Sequence, residues 1–95
     1  YAQDFVDAVR LTGGNNLDRN LIVNTYAGAH GEAVLDGFII PNDNVKNHIA
    51  VEVHSYDPYN WLKTYGQWNT TCSTEIKNMF NLLYTWRNIC QFVFL

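Results

Sequence analysis

The fold of this chain is decided by the stretch LIVNTY at residues 21–26. It follows a turn-forming segment, NNLDRN at 15–20, and begins with an unbroken apolar run, which is typical of a strand covered on both faces of a parallel sheet. A second strand is predicted at 48–55, where side chains alternate between two faces. Its apolar face carries Ile49, Val51 and Val53, and its other face carries Ala50, Glu52 and His54.

Helical patterns surround these strands. Residues 3–12 have the 3.6-residue apolar period of a helix and end at two glycines, and 32–38 allow a short helical turn. After a long aromatic loop at 56–72, Ser73 or Thr74 can cap a further helix. The apolar stripe of that helix is predicted to contain Ile76, Met79, Phe80 and Leu83.

The length of the chain indicates how much of an α/β fold is present. A strand-like run at 89–95 follows the last helix, so helices and strands alternate throughout. A (β/α)₈ barrel uses about 31 residues per unit, and 95 residues therefore correspond to about three units. We predict a partial (β/α)₈ TIM barrel of about two and a half to three βα units. The alternative, a self-contained three-strand parallel sheet, would leave both sheet edges and much apolar strand surface uncovered.

Composition excludes several classes of partner. Six Lys and Arg stand against nine Asp and Glu, a net charge of −3, so no basic excess is present to bind nucleic acid or an anionic membrane surface. No apolar run reaches the roughly 18 residues of a membrane span, and the first residues do not form a signal segment. Aromatic residues make up 15% of the chain, which favours flat ligands such as sugar rings. The apolar end at 92–95 and an initial residue other than Met indicate a chain cut at both ends.

His54 and Tyr56 form the strongest candidate site in the sequence. Residues two apart on a strand project to the same face, and ligands of parallel α/β proteins meet the carboxyl ends of the strands. We therefore expect this pair to face a ligand; the same pattern also fits a core histidine beside an aromatic lid. A Ser/His/Asp triad of Ser55 or Ser73 with His54 lacks the nucleophile-elbow motif and is not predicted.

Metal and paired-carboxylate chemistry are not predicted either. His48 and His54 would lie about 20 Å apart on an extended strand, so they cannot share an ion with Asp57. Three glutamates could supply the carboxylates of sugar hydrolysis, but none is convincingly placed. They are Glu32, Glu52 and Glu75, and Glu52 is expected to be a structural or rim carboxylate. Cys72 and Cys90 lack the spacing of a zinc cluster and are predicted to be free thiols.

Several ordered blocks of this sequence resemble glycoside hydrolase family 5 cellulases, the endo-β-1,4-glucanases, between residue 4 and about residue 84. The blocks are FVDAVR at 5–10, GGNN at 13–16, LIVNTYA at 21–27, LDGF at 35–38, IPND at 40–43 and VEVHSYDPYNW at 51–61. The resemblance implies that residues 1–95 are an internal fragment of a catalytic (β/α)₈ domain. They would run from its fourth helix to the start of its seventh strand.

The resemblance also implies where the catalytic groups lie. Family members use an acid/base Glu in an Asn-Glu pair that ends strand four, and a nucleophile Glu in a Gly-Glu-aromatic-Gly segment that ends strand seven. Neither motif is present in this sequence, and residues 85–95 depart from the expected approach to the second one. The chain is therefore expected to contribute no catalytic residue and to be inactive by itself.

Four substrate-binding residues are carried over by the resemblance. His54 resembles the histidine that lines the subsite near the acid/base, and Tyr56 resembles the tyrosine that hydrogen-bonds the nucleophile. Trp61 and Trp68 are expected to stack on sugar or to pack the loop.

The implied function is hydrolysis of β-1,4-glucan or cello-oligosaccharide by a retaining, double-displacement mechanism. The resemblance implies no cofactor, no metal, no nucleic acid and no membrane partner. It implies a parent protein that is monomeric and either secreted or on the cell surface. The alternative is a small non-catalytic carbohydrate-binding module with an aromatic stacking platform. That platform would consist of Tyr56, Tyr59, Trp61 and Trp68.

Overall fold

The architecture alternates helices and strands, as the sequence predicted. A computed structural model describes residues 1–64 and 66–90, without the side chains at 60, 64 and 88–90. The elements are α1 (Ala2–Leu11), β1 (Leu21–Asn24), α2 (Glu32–Gly37), β2 (Ile49–Glu52), α3 (Tyr59–Thr64) and α4 (Thr70–Cys90). The α/β class is therefore confirmed, and so are the first helix and the short helical turn.

The sheet consists, within the described residues, of two parallel strands. Leu21 lies opposite Ile49, and Asn24 lies opposite Glu52. The two strands therefore end level with each other. This register brings together the segments that follow them, which we call the β1 loop (residues 25–31) and the β2 loop (residues 53–58). Both strands end earlier than predicted, because a 3₁₀ turn at Tyr26–Gly28 follows β1 and the backbone leaves the sheet after Glu52 in β2.

One face of the sheet is packed against the helices. Val6 of α1 is buried with Leu21 and Val23 of β1. A second cluster joins Leu35 of α2 to α4, and Phe38 and Val51 contact both clusters. The α4 members of that second cluster are Met79, Leu83 and Trp86. The predicted apolar face of β2 is thus the face that the helices cover.

The opposite face of the sheet is open, so the expectation that β1 is covered on both faces is wrong for the described residues. Burial alternates along β1, and Ile22 remains 59% exposed. The chain exposes 7240 Å², whereas a compact monomer of this mass exposes roughly 5,600 Å². Its radius of gyration is 16.2 Å, against about 12 Å for a compact domain of this length. These values fit part of a barrel rather than a self-contained sheet.

The aromatic segment at 56–72 is not one long loop, and that prediction is wrong. α3 occupies its middle, and α4 begins at Thr70. The cap of α4 also differs from the prediction, because Asn69 Oδ1 accepts a hydrogen bond from the Cys72 N–H at 3.1 Å. A residue at the N-cap bonds the amide three positions on in this way. Residues 73–74, which were predicted as the cap, lie inside the helix.

The buried face of α4 differs in part from the predicted stripe. Met79 and Leu83 are buried as predicted, but Phe80 is 61% exposed. Trp86 is buried instead, and its Nε1–H donates to the Leu35 carbonyl at 3.0 Å. Phe80 lies about 100° around the helix from Met79, so the core face continues at spacings of four and three residues through Leu83 to Trp86.

The last stretch of the chain is only partly described. α4 continues to Cys90, so the prediction of a strand at 89–95 is wrong for residues 89 and 90. Residues 91–95 lie outside the described residues. Cys72 is a buried free thiol, as predicted, while the side chain of Cys90 is not described. Within residues 1–64 and 66–90, no helix is both long and apolar enough to cross a membrane.

An ion pair ties the amino-terminal side of the sheet together. The Arg10 guanidinium donates to both carboxylate oxygens of Asp43, at 2.9 and 2.6 Å, and also to the carbonyls of Asn16 and Arg19. One side chain thereby joins α1, the turn after it and the segment before β2. The hydrogen bond from Arg10 is the main reason why the pKa of Asp43 lies below its ordinary value.

This lowered pKa predicts a loss of stability in acid. Because the folded form binds its proton more weakly than the unfolded form, the Asp43 contribution is present above the unfolded pKa of about 3.9 and is lost as the pH falls through the lower folded value. Asp43→Asn should therefore be less stable than the parent chain at pH 7, and the difference should shrink below about pH 4. Urea unfolding across this pH range measures it. A difference that stays constant down to about pH 2 would contradict the prediction.

Candidate functional site

An open cleft lies between the β1 and β2 loops, at the carboxyl ends of the strands. Its volume is about 340 Å³. The residues that line it are Ala27, Gly28, Ala29, His30, Gly31, His54, Tyr56, Asp57 and Tyr59. His54 and Tyr56, the pair that the sequence singled out, therefore face the same cleft. They lie beyond the end of β2, in the β2 loop.

His54 is held by a carboxylate and by a backbone hydrogen bond. Its ring Nε2 lies 2.8 Å from Glu52 Oε1, and its main-chain N–H donates to the Gly28 carbonyl at 2.7 Å. We assign the hydrogen of this contact to Nε2, with the carboxylate oxygen as acceptor, which leaves Nδ1 to meet a ligand. Both side chains are about half exposed. Glu52 was expected to be a structural or rim carboxylate, and here it orients the imidazole.

Gly28 gives the β1 loop its close approach to His54. Its φ is +68°, a conformation that side chains rarely adopt, and a Cβ there would lie 3.1 Å from His54 Cδ2. The preceding Ala27 also has a positive φ, +53°, and Thr25 Oγ1 donates to the Ala29 carbonyl at 2.6 Å. The turn is therefore tight and closed on itself, and the imidazole lies against a bare backbone.

Asp57 joins the two loops on the other side of Tyr56. His30 Nε2 lies 2.6 Å from Asp57 Oδ2, and Ser55 Oγ donates to the same oxygen at 2.7 Å. The Asp57 N–H donates in turn to Ser55 Oγ at 3.2 Å. Tyr56 lies between these anchored residues, and its own side chain is largely exposed.

Trp61 and Trp68 lie apart from this cleft and contact each other. Their rings meet edge to face, with centroids 5.6 Å apart and planes at 79°. Trp68 is 52% exposed, and its Nε1–H donates to Ser73 Oγ at 3.0 Å. The Trp61 Nε1 atom is buried without a hydrogen-bond partner. The structure thus brings two of the four predicted substrate-binding residues into the cleft. It places the other two in contact with each other, Trp61 on α3 and Trp68 just before α4.

The contacts also exclude a nucleophilic triad. Ser55 bonds Asp57, Ser73 bonds Trp68, and His54 bonds Glu52, so neither serine has the imidazole as its base. Among the described residues, no group of three or more His, Cys, Asp and Glu side chains could hold a metal ion. The histidine, aspartate and tyrosine side chains that line the cleft can bind and orient a ligand by hydrogen bonds and aromatic rings.

One polar residue of the cleft, His30, was missed in the sequence, whereas Asp57 was considered only as a metal ligand and Tyr59 only in the alternative stacking platform. His30 lies after the carboxyl end of β1, where ligands bind in parallel α/β folds. The rule that selected His54 and Tyr56 would have selected His30 too, had it been applied to the whole β1 loop. The distances between these residues, in contrast, had no signal in the sequence.

A comparison with protein-family models matches nearly the whole chain. The family model described as cellulase (glycosyl hydrolase family 5) matches residues 1–89. This match extends beyond residue 84, where the resemblance visible in the sequence ended. It includes both strands, both loops and nearly all of α4.

Solved structures agree with the family model. A glycoside hydrolase family 5 enzyme from Prevotella bryantii is 56% identical, with a TM-score of 0.85 over 90% of this chain, and a mutant of it was solved with a xyloglucan tetradecasaccharide. A broad-specificity endoglucanase from Ruminococcus champanellensis, with bound cellotriose, is 35% identical, with a TM-score of 0.85 over 97% of this chain.

Curated proteins give the same picture. A xyloglucan-specific endo-β-1,4-glucanase from Bacteroides ovatus is 46% identical over 61 residues, or 64% of this chain. The chain spans only 12% of that protein. It likewise spans 25% of the Prevotella structure and 28% of the Ruminococcus structure.

Proposed function

The chain belongs to the cellulase family, glycosyl hydrolase family 5, and on that premise we propose that it forms one side of the substrate cleft of a retaining β-1,4-glucanase. The observation that carries the proposal is the placement of His54 and Tyr56 in one cleft at the carboxyl ends of two parallel strands. This is the end of a (β/α)₈ barrel at which substrates bind. The match to related endoglucanases supports a hydrolase over a non-catalytic binding module.

The two residues have different proposed roles in double displacement. The Tyr56 hydroxyl donates to the nucleophile carboxylate, which keeps that group oriented and ionised for attack on the anomeric carbon. His54, oriented by Glu52, presents Nδ1 to the sugar near the acid/base. The two catalytic glutamates would come from other parts of a complete barrel, so this chain binds and orients but does not itself cleave.

The proposed substrate is a β-1,4-glucan, either unbranched or substituted as in xyloglucan. The bound cellotriose and xyloglucan of the related enzymes support this choice. The exposed rings of Tyr56 and Tyr59 at the cleft can stack on the C–H faces of glucose. For Trp61 and Trp68, the edge-to-face contact favours loop packing over sugar stacking. We further propose that the parent protein is monomeric and acts outside the cell, where polymeric glucan is found.

A barrel graft tests the proposal. We define it as the Prevotella bryantii enzyme in which the aligned quarter is replaced by the corresponding residues of this chain. We expect the graft to release reducing sugar from xyloglucan. His54→Ala and Tyr56→Phe should each lower kcat/KM by about 10- to 100-fold, because each removes a hydrogen bond to a charged or reacting group.

The control is Lys77→Gln, on the exposed side of α4, which should retain the activity of the graft. Circular dichroism and thermal melting establish that each variant is folded. A folded graft that binds cellotriose but cleaves no glucan would contradict the proposed function and favour the binding module.

The Glu52–His54 contact leads to a further prediction. Glu52→Gln keeps an oxygen acceptor for the imidazole N–H and removes the charge, whereas Glu52→Ala removes both. We expect kcat/KM of the barrel graft on xyloglucan to fall about 10-fold for the alanine variant and about 2- to 3-fold for the glutamine variant. Glu32→Ala, at the exposed start of α2, is the matched control. Equal activity of the Glu52→Ala variant and the parent graft would show that the carboxylate does not orient His54.

A further inference from the structure

The β2 loop is attached to the β1 loop at two points, one on each side of Tyr56. At the first point, the His54 N–H donates to the Gly28 carbonyl at 2.7 Å. At the second, the Asp57 carboxylate meets the imidazole of His30 at 2.6 Å. The first attachment is made by the backbone and survives a change of side chain, whereas the second depends entirely on two side chains.

The side chain of Tyr56 makes few contacts within the described residues. Its side chain is 64% exposed, and the described residues provide no hydrogen-bond partner for its hydroxyl. A ring with so few contacts takes its position from the backbone that carries it. The backbone at 56 is placed by its two neighbouring anchors, so the position of the phenol depends on the His30–Asp57 contact.

The His30–Asp57 contact is well suited to this task. Both side chains are only about one quarter exposed, so water competes less for the contact than at a fully exposed pair. Asp57 is oriented by a second bond from Ser55 Oγ to the same carboxylate oxygen, and its N–H returns a bond to that hydroxyl. The imidazole, the carboxylate and the hydroxyl thus close the β2 loop around Tyr56.

We propose that His30, acting through Asp57, is a positioning residue that holds the Tyr56 phenol in the cleft for its part in catalysis. This inference rests on the proposed function, because it assigns His30 to the reaction in which Tyr56 orients the nucleophile. His30 lies in the β1 loop, and Tyr56 lies in the β2 loop. The loop that follows β1 therefore determines where the phenol that follows β2 is placed. His30 itself need not touch the reacting atoms.

A double-mutant cycle in the barrel graft tests the proposal. His30→Ala should lower kcat on xyloglucan by about 10- to 100-fold, because a displaced functional group costs that much, and should change KM by less than about 3-fold. His30→Gln, whose amide N–H can reach the same carboxylate, should recover most of the loss. In the Tyr56→Phe background, His30→Ala should cause almost no further loss, since the hydroxyl that it positions is already absent.

The control is Asp36→Asn, which changes a carboxylate on the exposed side of α2, away from the cleft, and should leave kcat unchanged. A purely structural role of His30 would lower the melting temperature and would persist in the Tyr56→Phe background. An active graft in which His30→Ala leaves kcat unchanged, or lowers it equally with and without the Tyr56 hydroxyl, would overturn this inference and leave the proposed function intact. A folded graft that neither cleaves nor binds glucan would overturn both.

Discussion

Leu35→Ala is expected to lower the free energy of unfolding by about 2 to 5 kcal/mol. Leu35 is 1% exposed and lies at the centre of the cluster that joins α2 to α4. The substitution removes buried apolar atoms and leaves a cavity that Met79 and Trp86 can fill only in part, because the Trp86 indole is fixed by its hydrogen bond to the Leu35 carbonyl. The measurement compares the urea unfolding midpoints of the barrel graft with and without Leu35→Ala. An unchanged slope of the transition shows that the shift in midpoint reports stability.

The matched control for this prediction is Ile39→Ala. Ile39 is 86% exposed, so the same kind of truncation removes almost no buried surface there and should change stability by less than about 0.5 kcal/mol. If Leu35→Ala were as mild as Ile39→Ala, α4 would not pack on α2 as described. The β2 loop and its cleft would then lack the support of this helix layer.

Gly28→Ala is expected to lower the activity of the barrel graft by about 100-fold or more, since a misplacement of about 1 Å at a reacting centre has an effect of that size. The added Cβ would lie 3.1 Å from His54 Cδ2, and the backbone φ of +68° is strained for any side chain. Either the imidazole moves away from Glu52 or the β1 loop moves away from the β2 loop. Both movements alter the cleft, and kcat on xyloglucan measures the result.

Gly14→Ala separates backbone strain from the contact with His54. Gly14 has a similar φ of +57°, but a Cβ added there would meet nothing within 4 Å, so alanine introduces strain alone, roughly 1 to 2 kcal/mol. We expect it to lower the melting temperature and to leave kcat unchanged. If both alanine variants were equally active, close packing of Gly28 against the imidazole would not matter for function.

The sequence selected His54 and Tyr56 as candidates, and the structure places both in one cleft, whereas the predicted bounds of the surrounding elements were partly wrong. His54 and Tyr56 were selected because they follow an apolar strand at its carboxyl end, and this position is a local property of the chain. Glu52 was recognised on the same face of the strand as His54, but its hydrogen bond to the imidazole was not predicted. That bond depends on how the backbone leaves the strand after Glu52, which no alternation of residues encodes.

The segment between the second strand and the last helix shows a different kind of failure. Residues 56–72 were predicted as one long aromatic loop, yet α3 forms at Tyr59–Thr64 and Asn69 caps α4 earlier than expected. Several polar residues near a helix start can all serve as a cap, and local sequence does not choose among them. Burial of Trp86 against Leu35 selects one face of α4 and leaves Phe80 exposed.

Residue types at short spacings were enough to predict the α/β class and the parallel strands and to select His54 and Tyr56 as candidates. These features act through backbone preference and burial on one face, which are local properties of the chain. The folded arrangement was needed to show that His30 meets Asp57, that Gly28 lies under the His54 ring and that Ile22 faces an open side of the sheet. Such contacts join residues far apart in the chain, or depend on which layer covers a strand. They form only when the helices and strands of the chain pack together.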